Sequence, residues 1–173
     1  MRVRAFFLLT LGLPALSGCG YHTLGAATHL PPEAHTLAVP VFATRTNTYH
    51  TETVMTDAVI REFAARSRLR VTPDANADPD VVLNGTILQE SSVPLTYNTS
   101  TQQSSSFLVT VVIEVKLTGR DGHVLYENKK YVFRQQYQST TDLPVYFDES
   151  PAAIQRLSRD FARALVADVL EGL

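Results

Sequence analysis

Cys19 is the only thiol in the chain, and it follows Leu16-Ser17-Gly18. As a thiolate, cysteine is the strongest nucleophile among the side chains there. The other candidates for chemistry are weaker. His22, His29, His35, His50 and His123 are scattered, without the i, i+4 spacing or cysteine partners of a metal site. Asp74, Asn76 and Asp78 offer oxygens, but the Gly and Glu that complete a calcium loop are missing, so a turn is predicted. Asp148 and Glu149 precede Ser150-Pro151 and read as acids favouring a helix start, not as a catalytic pair. No nucleophile elbow, zincin, P-loop or dinucleotide motif occurs. The sequence therefore predicts no enzyme, no metal and no cofactor.

What stands before Cys19 gives it meaning. Arg2 and Arg4 open the chain, and Ala5 to Leu16 is apolar. That is the layout of a secretory signal. The apolar run is about 12 residues, short of the roughly 20 that span a bilayer as a helix. Leu16-Ser17-Gly18-Cys19 resembles the lipobox of bacterial lipoproteins. The resemblance implies cleavage before Cys19 and acylation of its sulfur. Residues 1–18 are then a signal peptide, 19–35 a lipidated N-terminus and tether, and 36–173 one domain. A single acyl chain holds a protein marginally and two or more hold it stably, and lipoproteins carry several. By the same resemblance, Gly20 in place of Asp implies export to the outer membrane.

Removing Arg2 and Arg4 from 15 basic residues leaves 13 against 17 acidic ones, a charge of −4. A chain with no basic excess is a poor partner for nucleic acid. With its one thiol acylated it has no internal disulfide, so packing alone must stabilise it. The length suits a single core.

The periodicity predicts six elements. Thr36 to Phe42 reads as a strand, with Pro40 placing it at an edge or bulge. Ala43 to Tyr49 reads as a loop. Met55, Val59 and Phe63 recur along a helix over 51–67, capped by Thr48 or Thr51. Val81 to Ser91 is a second strand, in which Gly85 marks a bulge or close backbone approach. Ser92 to Ser106 is polar and reads as a long connection ordered only by a partner. Phe107 to Thr118 alternates cleanly, with Phe107, Val109, Val111, Ile113, Val115 and Leu117 on one face. Gly119-Arg120-Asp121-Gly122 turns the chain into a strand over 123–137, where Tyr131, Phe133 and Tyr137 are in phase. Ser150-Pro151 starts a last helix with a stripe through Ile154, Leu157, Phe161, Leu165 and Val169. The order is strand-helix-strand-strand-strand-helix. The expected fold is α+β: one mixed, mostly antiparallel four-stranded sheet with two helices packed on one face.

Cys19-Gly20-Tyr21-His22, Thr36-Leu37-Ala38-Val39-Pro40-Val41-Phe42, Asp80 through Ile87, Gly119 through Glu127 and the closing helix from Ser150 occur together in this order. That series resembles the LPS-assembly lipoproteins of the LptE type across nearly all the mature chain. Thr44 stands where such families often carry Asn, a departure confined to the first loop. The resemblance implies a lipoprotein of the outer membrane that plugs an LPS-translocon β-barrel of the LptD type, helps it assemble, and binds LPS. LPS phosphates call for cations, and the candidates are Lys116, Lys129, Lys130 and Arg134. Lys129 and Lys130 are neighbours in a strand, so opposite faces are expected and only one can join a given patch. Residues 96–106 and Arg134-Gln135-Gln136 supply hydroxyl and amide groups suited to a polar lumen. The Ala38-Val39-Pro40 strand, the helix and Gly85-Thr86 are also similar to regulators of the peptidoglycan-synthase-activator type and to curli-secretion lipoproteins. The short tether favours the plug.

Overall fold

The computed structural model describes residues 29–47, 50–98, 103–140 and 147–172. The elements, in order, are β1 (Thr36–Ala38), β2 (Ala43–Thr44), α1 (Thr51–Arg66), β3 (Arg70–Thr72), β4 (Val81–Asn98), β5 (Gln103–Gly119), β6 (Val124–Thr140), β7 (Phe147–Asp148) and α2 (Ser150–Glu171). They build one open sheet in the order β3-β1-β4-β5-β6-β7, with β2 pairing β4. β1 runs parallel to β3 and to β4, while β4, β5 and β6 are antiparallel.

The α+β class, the two helices and the mixed sheet are as expected, but seven strands replace four. β2, β3 and β7 are only two or three residues each. Segments that short carry no alternation and exist because a neighbour's backbone pairs with them. The larger correction concerns residues 92–106. β4 and β5 run on as a ladder until Asn98 faces Gln103. Helix cover runs out along that part of the hairpin, so nothing there selects apolar alternation, and backbone pairing with cross-strand side-chain contacts sustains the strands.

Helix and sheet meet in one core. Leu83, Ile87, Val111, Ile113, Val115 and Leu117 on the sheet, Met55, Val59 and Phe63 on α1, and Leu157, Phe161, Leu165 and Val169 on α2 are all buried. Phe161 lies edge-on to Phe42, Tyr131 and Phe133. Gly85 provides the close approach expected of it, since a Cβ there would lie 2.7 Å from the Phe42 ring. The bulge falls just beyond, between Ile87 and Gln89. Pro40 stands outside the ladder, between β1 and β2.

The helix starts differ from expectation. His50 occupies the N-cap of α1 at φ 69° with no side-chain cap, while Thr51 is buried; Thr48 lies outside the described residues. Ahead of α2, Asp148 accepts hydrogen bonds from the Ser150 amide (2.9 Å) and hydroxyl (3.1 Å). The Glu149 carboxylate accepts from the Gln138 amide at 3.1 Å and lies 2.9 Å from the Arg156 guanidinium. Those bonds, the Gln138 amide foremost, hold its pKa below the usual carboxylate range. The Asp148 carboxylate thus holds the first residue of α2, and that of Glu149 joins β6 to α2.

Residues 29–35, within the expected tether, lie against the domain. The His29 amide donates to the Val169 carbonyl at 3.0 Å, and Leu30 and Ala34 pack on the core. At the other end of this segment Asp80 accepts from the His35 and Thr36 amides and the Thr36 hydroxyl. The backbone bonds to His35 and Thr36, the Thr36 hydroxyl and the nearby Arg120 guanidinium lower the Asp80 pKa to about 2.

Candidate functional site

The sheet face away from the helices carries the cations singled out from the sequence. On β5 the outward positions are Leu108, Thr110, Val112, Glu114, Lys116 and Thr118, between the buried Val109, Val111, Ile113, Val115 and Leu117. On β6, Arg134 registers with Thr110 and Val132 with Val112. Lys116 is exposed and registers with Glu127.

Lys129 and Lys130 overturn the simple alternation rule. Tyr131 faces Ile113 and Asn128 faces Val115, so two residues of β6 oppose the single Glu114. Such a bulge re-aims side chains. With Asn128 and Tyr131 both aligned on core-facing partners, the two lysines between them are left on the outward side, and both are exposed. Lys116, Lys129, Lys130 and Arg134 therefore share one face. Asn128 Oδ1 accepts from the Lys130 amide at 2.9 Å, bracing the bulge.

Acids lie among these cations. The Lys129 ammonium is 3.7 Å from the Glu127 carboxylate, and Glu114 sits beside the bulge. Lys130 and Arg134, four residues apart on a strand, are separated by roughly 13 Å. Between them lies the apolar Val112–Val132 pair. Further along, Val93 registers with Leu108 and is 47% exposed, and Leu95 is 49% exposed. The face is thus amphipathic, with apolar strips alternating with fixed positive charge.

The polar groups on the hairpin are partly spent internally. Gln136 donates to the Ser106 hydroxyl at 2.7 Å, and the Ser92 and Tyr137 hydroxyls are 2.8 Å apart. Phe107 stacks on Tyr137 with ring centroids 5.3 Å apart. These contacts stitch β4, β5 and β6 together at the edge of the helical layer.

A second cluster was missed by the sequence reading. The Tyr131 hydroxyl donates to the Asp168 carboxylate of α2, and the Tyr126 hydroxyl lies 2.5 Å from that of Tyr131 and 3.2 Å from the same carboxylate. Burial, reinforced at Tyr131 by its bond to Asp168, pushes both phenol pKa values upward, so the hydroxyls stay protonated donors. The ring of His29 lies against Tyr126, centroids 5.1 Å apart. Tyr126 and Tyr131 are five residues apart and come together only because the bulge at Lys129–Lys130 puts both on one face.

A cleft of about 520 Å³ opens between the N-terminal ends of α1 and α2 and the root of the hairpin, lined by Val54, Val109, Tyr137 and Ile154. Among the described residues, no three His, Cys, Asp or Glu side chains stand close enough to share a metal ion. No helix of the described residues is long and apolar enough to cross a membrane. Cys19 lies outside the described residues.

An open sheet covered on one face by two helices, with a long hairpin running past them, defines the class of fold. A family model for lipopolysaccharide assembly, LptE, matches residues 34–169, and the chain belongs to that family. Its role is accordingly that of an LPS-assembly lipoprotein at the level of the family. No curated relative matches by sequence. Among solved structures, the chain is similar to lipoprotein B from Nitrosomonas europaea (9% identity, 86% of this chain and 90% of that one, TM-score 0.57). It is also similar to the rare lipoprotein B from Shewanella oneidensis (12% identity, 80% and 96%, TM-score 0.53). At such identities the likeness speaks for the fold.

Proposed function

We propose that this protein is an outer-membrane lipoprotein, anchored through Cys19, that sits within an LPS-translocon β-barrel of the LptD type. There it helps the barrel assemble and contacts LPS on its way to the outer leaflet. Family membership supports the assembly role. The observation that carries the LPS contact is the bulge between Asn128 and Tyr131, which adds both Lys129 and Lys130 to the face that bears Lys116 and Arg134. Ammonium and guanidinium groups form charge-assisted hydrogen bonds to phosphate oxygens. The apolar pairs Val112–Val132 and Val93–Leu108 beside them suit a ligand that is part phosphate and part acyl chain. Exposed Thr96 on the hairpin suits a lumen lined with polar side chains.

Two measurements test this reading. After mild detergent extraction the protein is expected to co-purify with a large outer-membrane barrel, and a photocrosslinker at Thr96 is expected to mark that barrel. Recovery as a free monomer, or as a large symmetric ring of identical chains, would count decisively against it. A Lys129→Glu, Lys130→Glu double variant is expected to lose about tenfold in LPS retention, the scale of a lost charged hydrogen bond, while still recovering the barrel. Unchanged LPS retention would remove the basic face from the proposal.

A further inference from the structure

We infer that residues 29–35 form a strap that fixes which end of the domain faces the membrane, and that this end is the β5–β6 turn. The inference rests on the proposed lipid at Cys19. Three kinds of contact hold the strap. The His29 amide donates to the Val169 carbonyl near the end of α2, and the His29 ring lies on Tyr126. Leu30 and Ala34 pack on the core. The His35 and Thr36 amides are clamped by Asp80, which Arg120 of the β5–β6 turn also engages at 3.1 Å. Pro31, Glu33 and Ala34 run beside Gly119, Asp121 and Leu125, and together they line a cleft of about 420 Å³. Tyr126, the platform for His29, is itself held by Tyr131 and Asp168.

The strap changes the arithmetic of anchoring. Without it, Cys19 would be joined to β1 by about 17 residues, which reach about 60 Å at full extension. With it, only residues 19–28 remain between the sulfur and a fixed point. About ten residues can span no more than about 36 Å, however they are arranged. That fixed point lies at the turn end. Thr96 registers with Ser106, and Val124 with Thr118, so the hairpin residue Thr96 lies about 40 Å further along the strands than the turn. A short lead attached at one end of a long body keeps that end against the bilayer.

The test uses the full-length lipidated chain in phospholipid vesicles that contain a headgroup-labelled acceptor lipid. With Cys19 acylated, a cysteine introduced at His123 or at Thr96 is the single thiol available for a donor dye. Energy transfer is expected to be about twofold or more greater from position 123 than from position 96, given their separation. In a His29→Pro, Leu30→Asp variant, which removes the amide donor and the apolar contact, the two values are expected to converge. Should that variant lose its far-ultraviolet dichroism, the comparison of the two positions in the native background decides alone. Equal transfer from both positions, in a protein that floats with vesicles, overturns the strap. If the native protein does not float, or a Cys19→Ser chain floats equally well, the lipid anchor itself is wrong.

Discussion

At Gly85 the ring of Phe42 lies where a side chain would begin, 2.7 Å from a notional Cβ. Phe42 cannot easily give way, because it packs on Phe161 and its amide donates to the buried Thr56 hydroxyl at 3.0 Å. Overpacking of this kind costs about 1–3 kcal/mol. Gly85→Ala is expected to lose that much in urea denaturation, and Phe42→Leu in the same chain should recover part of it. Failure of the second change to help would mean that strain is relieved elsewhere. Asp80 makes a prediction of opposite character. Its folded pKa of about 2 is below the ordinary 3.8, so its stabilising contribution is complete above pH 4. It fades as pH falls toward 2, because protonation then costs the carboxylate its bonds. Asp80→Asn is expected to flatten the loss of stability across that window, measured by thermal melts at successive pH values. An unchanged slope would show that Asp80 does not couple folding to pH.

The helix-free hairpin is the element least visible in the sequence and most open to test. Tyr137 bonds Ser92 and stacks on Phe107, joining all three long strands there. An aromatic pair is worth about 0.5–1.5 kcal/mol beyond its buried area. Tyr137→Ala is expected to speed hydrogen exchange at amides over 92–96 and 106–110 several-fold while leaving α1 and α2 unchanged. Uniform acceleration everywhere would mean that the hairpin unfolds only with the core. The contrast with Phe107 to Leu117 explains what could be read in advance. There a helical layer demands an apolar residue at every second position, and the demand is written in the chain. Ser91, Val93 and Thr96 face no such layer, so their strand leaves no pattern. The bulge at Lys129–Lys130 is hidden for another reason, since it is a relation between two strands and neither lysine reports it alone. The four cations were identified from the sequence; their common face was not.

The two helices run side by side in the same direction. Arg66 and Glu171 meet at 2.5 Å at their C-terminal ends, and Val54, Asp57 and Arg61 lie opposite Gln155, Ser158 and Arg159. Parallel macrodipoles repel weakly, so apolar burial in the shared core must hold the helices in place, and Phe161 fastens α2 to the sheet side of that core through Phe42, Tyr131 and Phe133. Phe161→Ala is expected to cost about 3–5 kcal/mol, read as a fall in the denaturation midpoint, with one transition because one core serves the molecule. Two separate transitions would show that sheet and helices are independent. The same layering leaves the far end of the hairpin unsupported. Past Val109, five residue pairs of β4 and β5 carry the hairpin beyond the buried apolar core, roughly 17 Å of ladder flanked by β6 only as far as Ser106. Tilting it by about 10° at its root carries the tip about 3 Å. Such a lever can follow a surrounding wall as it closes, while the residues behind Val109 remain as tightly packed as before.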